Sequence, residues 1–297
     1  MIEQGPAVNA RRRASLRPHL GAVRLVPLHA VVVGLSLLWL VPTLGLFISS
    51  LRPAPAVAST GWWTALRPPL RFTLDNYSAV LGAYGLGRGF LNSLVICVPA
   101  TVMPIAIAAL AAYALSCMPF AGRPIVLLVL VGSLVVPLQA TLVPVFQLLA
   151  GWGLVGSFAA AWVAHTGYGL PFAIYLLWSS MEALPRELLE AASIDGATVL
   201  DRFLRLVMPL SAPALAALAI FQFLWVWNDL LVALIYVGGQ PDVAPVTVMV
   251  SNLANSLGRD WQLLTAGAFV SMAVPLAAFF TLQTYLVRGI LAGALKG

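Results

Sequence analysis

Charged residues are scarce in this chain: only 9% of its 297 residues are Asp, Glu, Lys or Arg, whereas a soluble globular domain usually carries about a quarter. Hydrophobic residues make up 61%, which excludes a disordered or collagen-like chain. Only two cysteines are present, too few for a disulfide-stapled secreted domain. In one helical segment, Cys97 and Cys117 would lie about 30 Å apart, so they do not bridge each other. The composition therefore predicts an integral membrane protein.

Lysine is nearly absent, since Lys296 is the only one in the sequence. A P-loop needs a lysine directly after its glycines to reach the nucleotide phosphates, so the chain has no Walker A site. Any ATP-driven step in which it takes part must therefore use an ATPase on another polypeptide. The three histidines show no metal-ligand spacing and there is no G-x-S-x-G elbow. We expect neither a metal site nor an intramembrane hydrolase.

Long apolar runs are abundant. Crossing a bilayer takes about 20 apolar residues, and six runs meet that length: 25–48, 90–117, 124–149, 157–181, 210–237 and 262–287. An even number of spans puts both termini on one side of the membrane. Eleven of the 16 Lys and Arg share that side, so the positive-inside bias assigns it to the cytoplasm and explains the net charge of +6 without nucleic-acid binding. Four arginines in the loop at about 49–89 oppose this assignment.

Five of the ten acidic residues fall in one loop at about 182–209, between the fourth and fifth spans; we call it the acidic loop. Its acidic residues are Glu182, Glu187, Glu190, Asp195 and Asp201. Pro185 suits the first turn of a helix that ends near Ile194, where Asp195 and Gly196 tolerate positive φ. Thr198 caps a second helix, and Pro209 begins the next span. The loop is predicted to form two short helices outside the membrane.

The acidic loop contains the run Glu190-Ala191-Ala192-Ser193-Ile194-Asp195-Gly196-Ala197, followed by Phe203 and Pro209. This run closely resembles the EAA loop of ABC importer permeases. Further stretches resemble the carbohydrate-importer branch of that family, specifically its MalG-like subunit: Leu74-Asp75-Asn76-Tyr77, Asn92-Ser93-Leu94, Ala112-Tyr113-Ala114-Leu115, Trp227-Asn228-Asp229 and Gly293-Ala294-Leu295-Lys296-Gly297. The resemblance covers nearly everything except residues 1–24, which match nothing diagnostic.

The resemblance implies a six-span permease domain over 25–287, with cytoplasmic tails at 1–24 and 288–297, in a bacterial or archaeal cytoplasmic membrane. The acidic loop would be the coupling helix that seats in an ATPase subunit. The residues implied at this contact are Glu190, Ala191, Ala192, Asp195, Gly196, Ala197, Phe203 and Pro209. The tail residues implied to reach the ATPase pair are Gly293, Leu295, Lys296 and Gly297. An ordinary solvated loop helix and a frayed terminus are the alternatives.

The same resemblance implies the partners of the chain. They are a homodimeric ABC ATPase that holds ATP and magnesium, a second homologous permease subunit that completes a heterodimer, and an extracytoplasmic sugar-binding protein. The substrate would be a carbohydrate, which the sequence does not name. The chain itself would carry no cofactor and perform no bond chemistry.

Asp229 is the only formally charged residue within the predicted spans, and an ionisable group at that depth is a functional-site hypothesis. Asn228, Trp225 and Trp227 lie beside it, and aromatic faces with amide or carboxylate acceptors suit sugars. Gln139 is a further polar candidate for the substrate pathway. The alternative, that Asp229 and Asn228 only hold neighbouring helices together by hydrogen bonds, stays open.

The principal rival function is an ion-coupled secondary sugar transporter. Such a protein would need no ATPase and would favour internal repeats and membrane-buried ligands for a coupling ion. The sequence shows no repeat, and Asp229 is the only candidate ion ligand with a charge inside a span. The residues therefore favour the ATP-driven importer.

Overall fold

The computed structural model describes the backbone of residues 17–256 and 260–294, and the side chains of 27–254 and 260–281. Every regular element in these residues is helical, which confirms the predicted all-α class for the described part of the chain. The helices are α1 (Arg17–Ser50), α2 (Ala54–Ser59), α3 (Asp75–Leu81), α4 (Leu86–Cys117), α5 (Arg123–Ser133), α6 (Leu138–Gly151), α7 (Phe158–Glu182), α8 (Arg186–Ile194), α9 (Val199–Leu210), α10 (Ala212–Asn228), α11 (Val246–Ser256) and α12 (Trp261–Ala294). A 3-10 helix (Trp62–Leu66) follows α2, and a π-helical turn (Ala233–Val237) follows α10.

Three helices in the described residues are long and apolar enough to cross a membrane: Pro27–Ser50 within α1, Leu86–Cys117 and Trp261–Thr281 within α12. The number rises to five if each of two bent helix pairs is one span. The predicted fourth span coincides with α7, whose 25 residues make a helix about 37 Å long, but α7 is not among these candidate spans. The predicted sixth span is longer than expected, because α12 continues to Ala294.

The predicted third span, 124–149, is not one straight helix. It consists of α5 and α6, which are bent by 102° at the residues between them. Pro137 directly precedes α6 in an extended conformation, with φ −65° and ψ 132°. A proline has no N–H to donate and disfavours helical geometry at the residue before it, so the helix ends ahead of it.

The predicted fifth span, 210–237, is interrupted as well. Pro209 does not begin it: this residue belongs to α9, and α10 starts at Ala212 after a bend of 72°. The helix stops again at Asn228, because Asp229 is extended with ψ 132°. The chain then re-enters helical geometry and forms the π-helical turn.

The centre of the fold is the contact of α4 with α7 and α10. Many of its buried residues are small: Ala100, Ala108 and Ala112 on α4, and Ala161 and Ala173 on α7, are each no more than 1% exposed. Small side chains let helix backbones approach closely, which is how membrane helices gain van der Waals contact.

The two ends of α4 hold two different parts of the chain. Near its first turns, Asn92 Nδ2 donates to the carbonyls of Pro241 (3.2 Å) and Ala244 (3.0 Å). Near its last turns, the Tyr113 hydroxyl donates to the carbonyl of Val199 at 3.1 Å. Asn92 and Tyr113 are about 31 Å apart along the helix. The acidic loop therefore lies at the end of α4 opposite to the segment that precedes α4.

Candidate functional site

The acidic loop has the local structure that its sequence predicts. Helix α8 follows Pro185 and ends at Ile194. Gly196 has φ +79°, its N–H donates to the Ser193 carbonyl at 3.1 Å, and the Ala197 N–H donates to Ala192 at 2.9 Å. These two bonds close the end of α8, and positive φ there favours glycine because it has no Cβ.

The predicted capping box at the start of α9 is confirmed. Thr198 Oγ1 accepts a hydrogen bond from the Asp201 N–H at 3.2 Å, while Asp201 Oδ2 accepts from the Thr198 hydroxyl and from its N–H. The hydroxyl, then the N–H, then the nearby Arg205 lower the pKa of Asp201 from its ordinary value. The carboxylate is therefore ionised at neutral pH and holds the turn.

Besides the hydrogen bond from Tyr113 to Val199, two further attachments fix the acidic loop to the helical bundle. Phe203 is only 7% exposed and packs on Tyr113, with ring centroids 5.1 Å apart. Glu182 Oε2 pairs with Arg123 Nη2 at 2.5 Å, and its Oε1 pairs with Arg186 Nη2 at 3.1 Å. Phe203 thus holds the loop in place from inside, and its ring is not part of the exposed surface.

The exposed face of the acidic loop carries most of the predicted coupling residues. A groove of about 490 Å³ runs between α8 and α9. Five of the predicted residues line it: Ala191, Ala192, Asp195, Gly196 and Ala197. Glu190 is exposed beside a separate cavity of about 200 Å³, which Arg186 and Arg202 also line. Pro209 is exposed near the end of α9 and lines neither.

Two apolar residues on this face were missed by the sequence reasoning. Ile194, the last residue of α8, is 87% exposed, and Leu200 is 62% exposed. Both lie in a loop that carries five carboxylates, and neither lines the groove, whose own apolar side chains include Leu188 and Leu206. The position of Ile194 and Leu200 beside Asp195 and Asp201 was the available sequence signal, because apolar residues between acidic ones in a polar loop are suited to contact with another protein.

Asp229 lies at the break after α10, where its carboxylate acts as a helix cap. Oδ1 accepts from the Val232 N–H at 3.3 Å, and Oδ2 accepts from the Ala233 N–H at 2.9 Å. Oδ2 is also 3.7 Å from Nε2 of the buried His165. An interrupted helix leaves backbone N–H groups without partners, and the carboxylate satisfies two of them.

The other predicted pathway residues are dispersed. Trp227 is buried and donates from Nε1 to the Ser271 carbonyl of α12 at 3.0 Å. Asn228 is exposed and donates to Leu224 within its own helix at 2.7 Å. Gln139 is exposed on α6 and lines neither of the cavities beside Trp225 described next.

Trp225 is the predicted pathway residue that faces open space. It is 38% exposed, lies edge-on to His165 at 5.3 Å, and lines two adjoining cavities of about 270 and 360 Å³. Tyr168 lines both as well, while Phe172 and Phe221 line the first. The signal for this aromatic cluster was in the sequence, since Tyr168 and Phe172 on α7, and Phe221 and Trp225 on α10, are four residues apart and share a helix face.

Gln222 lies beside these cavities and connects the three central helices. Its Nε2 donates to the carbonyls of Ala100 (3.1 Å) and His165 (3.4 Å). A Cβ added to Gly169 would lie 2.6 Å from Gln222 Oε1, whereas a Cβ on Gly167 would meet nothing within 4 Å. The amide therefore occupies the space that glycine leaves at position 169.

We expect Gly169→Ala to destabilise the protein by about 1–3 kcal/mol, because the new methyl group displaces the buried Gln222 amide. Gly167→Ala is the matched control, two residues away on the same helix. Thermal unfolding in detergent measures the difference. Equal midpoints for the two variants would contradict the proposed contact.

The described geometry is that of a multi-pass membrane subunit with an exposed acidic loop at one end. Residues 8–292 match the family "Binding-protein-dependent transport system inner membrane component", and the chain belongs to it. This confirms the resemblance to permeases of binding-protein-dependent ABC importers.

Relatives and one solved structure agree with this assignment. The chain is 57% identical over 274 residues to the osmoprotective compounds uptake permease protein GgtD of Synechocystis sp., covering 91% of this chain and 92% of that one. It is 55% identical to the alpha-glucoside transport system permease protein AglG of Rhizobium meliloti, covering 80% of this chain but only 63% of that longer protein. The fold matches a chain of a bacterial ABC transporter involved in alginate import with a TM-score of 0.76 at 20% identity, covering 89% and 97% of the two chains.

Proposed function

We propose that this chain is the transmembrane permease subunit of an ATP-driven, binding-protein-dependent importer that passes a carbohydrate across the cytoplasmic membrane by alternating access. The family match over residues 8–292 carries this proposal. The names of the relatives GgtD and AglG favour an osmoprotective compound or an α-glucoside as the substrate.

The proposed topology has six spans with both termini in the cytoplasm. The spans are α1, α4, the bent pair α5 and α6, α7, α10 with its continuation to Val237, and α12. The acidic loop then joins the fourth and fifth spans on the cytoplasmic side. The distribution of Lys and Arg supports this orientation. Residues 25–287 form the permease domain, between tails at 1–24 and 288–297.

The acidic loop is proposed as the coupling loop, seated in one subunit of a homodimeric ABC ATPase that holds ATP and magnesium. Its groove supports this role, because Ala191 and Ala192 permit close approach while Leu188 offers apolar contact. Leu295, Lys296 and Gly297 lie outside the described residues, and Gly293 belongs to α12. Their contact with the ATPase pair is a proposal from the resemblance.

The remaining proposed partners are a second homologous permease subunit and an extracytoplasmic sugar-binding protein. Within this chain, the cavities that Tyr168 and Trp225 line are the proposed sugar contact. Aromatic faces stack on the C–H faces of sugars, and Gln222 and Thr141 at the rims offer hydrogen-bonding groups.

Uptake by reconstituted vesicles tests the proposal. We expect a radiolabelled α-glucoside to enter only under two conditions. The vesicle membrane must contain both permease subunits and the ATPase, with ATP inside the vesicles, and the binding protein must be present outside. An ionophore that collapses ion gradients should leave the rate unchanged. Gradient-driven uptake by the permease without its ATPase would instead establish the secondary transporter.

A further inference from the structure

Residues 60–74 form an exposed apolar and basic segment, which we call the Trp–Arg segment. It lies at the end of α4 opposite to the acidic loop. Trp63 is 61% exposed and Leu70 is 62% exposed, and Leu66 and Phe72 are exposed as well. Exposed apolar side chains of this size indicate contact with another protein or with lipid, and the position of the segment distinguishes the two.

The depth of the segment follows from its contact with α1. The Trp62 ring packs on the backbone at Gly45, where an added Cβ would lie 2.7 Å from its Nε1. Gly45 is five residues before the end of α1, so Trp62 lies about 8 Å below that end. The apolar span Pro27–Ser50 has 24 residues, slightly more than a bilayer core requires. Trp62 is therefore folded back to the level where lipid headgroups meet acyl chains, a level at which tryptophan is enriched. At the other end of the segment, the Thr73 N–H donates to the Leu51 carbonyl at 2.7 Å, so the chain returns there to the end of α1.

The arginines on this side of the molecule differ in their partners. Arg52 is buried and donates to the carbonyls of Ala56 (2.9 Å) and Thr60 (3.2 Å) at the end of α2. Arg88 pairs with Asp242 at 2.9 Å. Arg67 and Arg71 are exposed, and no carboxylate lies within ion-pair distance of either among the described residues.

We propose that the Trp–Arg segment binds anionic phospholipid headgroups in the leaflet at this end of the molecule. Arg67 and Arg71 contact lipid phosphates, and Trp63 and Leu70 lie at the boundary of the acyl chains. Guanidinium groups form paired hydrogen bonds with phosphate, and basic residues at an anionic membrane surface gain affinity from its negative potential. The leaflet is the extracytoplasmic one under the proposed topology, on which this assignment rests.

This binding also explains the arginines that oppose the positive-inside bias. The Arg52 guanidinium is hydrogen-bonded to backbone carbonyls, and the charge of Arg88 is paired with Asp242. Lipid phosphates supply the anions for the remaining two. A soluble binding protein is a weaker fit, because Trp62 packs at Gly45, about 8 Å below the end of the apolar helix α1.

Lipid retention tests the charge contacts. The assembled transporter is reconstituted in equal amounts of phosphatidylglycerol and phosphatidylcholine and then purified in mild detergent. Mass spectrometry measures the ratio of the two lipids that stay bound. We expect the wild type to retain phosphatidylglycerol about two- to five-fold over the bulk ratio. The double variant Arg67→Gln, Arg71→Gln should lose this enrichment, whereas Arg88→Gln should keep it because Asp242 already pairs with that charge. Equal retention by the double variant and the wild type overturns the proposal.

A nitroxide at position 70 tests the depth. It is attached to Leu70→Cys in a chain that carries Cys97→Ala and Cys117→Ala, with Gln240→Cys, in the exposed turn beside Asp242, as the control site. We expect the nitroxide at position 70 to collide more often with oxygen than with a nickel chelate, and the nitroxide at position 240 to show the reverse. A nickel-dominated signal, or protection from both reagents by a protein partner, overturns the proposal. ATP-driven uptake is measured on the same variants, so that failed transport is distinguished from failed lipid contact.

Discussion

Gly196→Val is expected to reduce ATP-driven uptake at least ten-fold, with the permease still folded and inserted. Position 196 has φ +79°, a conformation that costs an L-residue about 1–2 kcal/mol and suits a β-branched one least. Within the described part of the chain, no neighbouring atom lies within 4 Å of the added Cβ, so the strain is in the backbone alone. The turn would relax, α8 and α9 would change their angle, and the groove would no longer fit the proposed ATPase. Co-purification of the ATPase and uptake in vesicles measure the effect.

Gly196→Asn is the matched control, because asparagine adopts positive φ more readily than other residues with a Cβ. It adds a side chain at the same open position and should retain most ATPase binding. Loss of binding in both variants would mean that the surface at position 196 matters and the backbone conformation does not. Normal binding and uptake by Gly196→Val would contradict the role of the groove.

Asp229→Ala is expected to lower the stability of the permease by about 1–3 kcal/mol, and with it the yield of assembled transporter. The variant removes a cap and leaves the N–H groups of Val232 and Ala233 without an acceptor in a half-buried site. Asp229→Asn keeps one acceptor oxygen and should fall between alanine and the wild type. Thermal unfolding and assembly yield are measured beside uptake.

Asn228→Ala is the control for this position, since Asn228 is exposed and, among the described residues, its side chain bonds only to Leu224 of its own helix. Its stability should stay within about 0.5 kcal/mol of the wild type. If Asp229→Ala assembles and unfolds normally but does not transport, the carboxylate acts in the sugar pathway and the capping account is wrong. The open alternatives for Asp229 are thereby distinguished.

The acidic loop was predictable because its signals are local. Pro185, Gly196 and the pair Thr198 and Asp201 each act on backbone groups within four residues, so chain neighbours alone specify the two helices. The surface that these helices present was less predictable. The burial of Phe203 depends on Tyr113, which is 90 positions earlier in the chain and meets it only in the folded protein.

The interruptions of the spans were not predictable from composition. Pro99 and Pro104 lie inside α4, which continues through both, whereas Pro137 lies at a 102° bend. Neighbouring helices and side chains decide whether a membrane helix continues through a proline. The break at Asp229 likewise depends on backbone donors further along the chain, and the cavity at Trp225 requires α7 and α10 to lie side by side.

Helix α4 connects the acidic loop to the opposite face of the molecule as one continuous helix. Tyr113 is bonded to the loop at one end, and Asn92 is bonded to the carbonyls of Pro241 and Ala244 at the other. If α4 tilts by about 5° around its Tyr113 end, Asn92 moves by about 3 Å over the 31 Å between them. That displacement is as long as the hydrogen bonds themselves, so residues 241–244 must travel with the helix or release it.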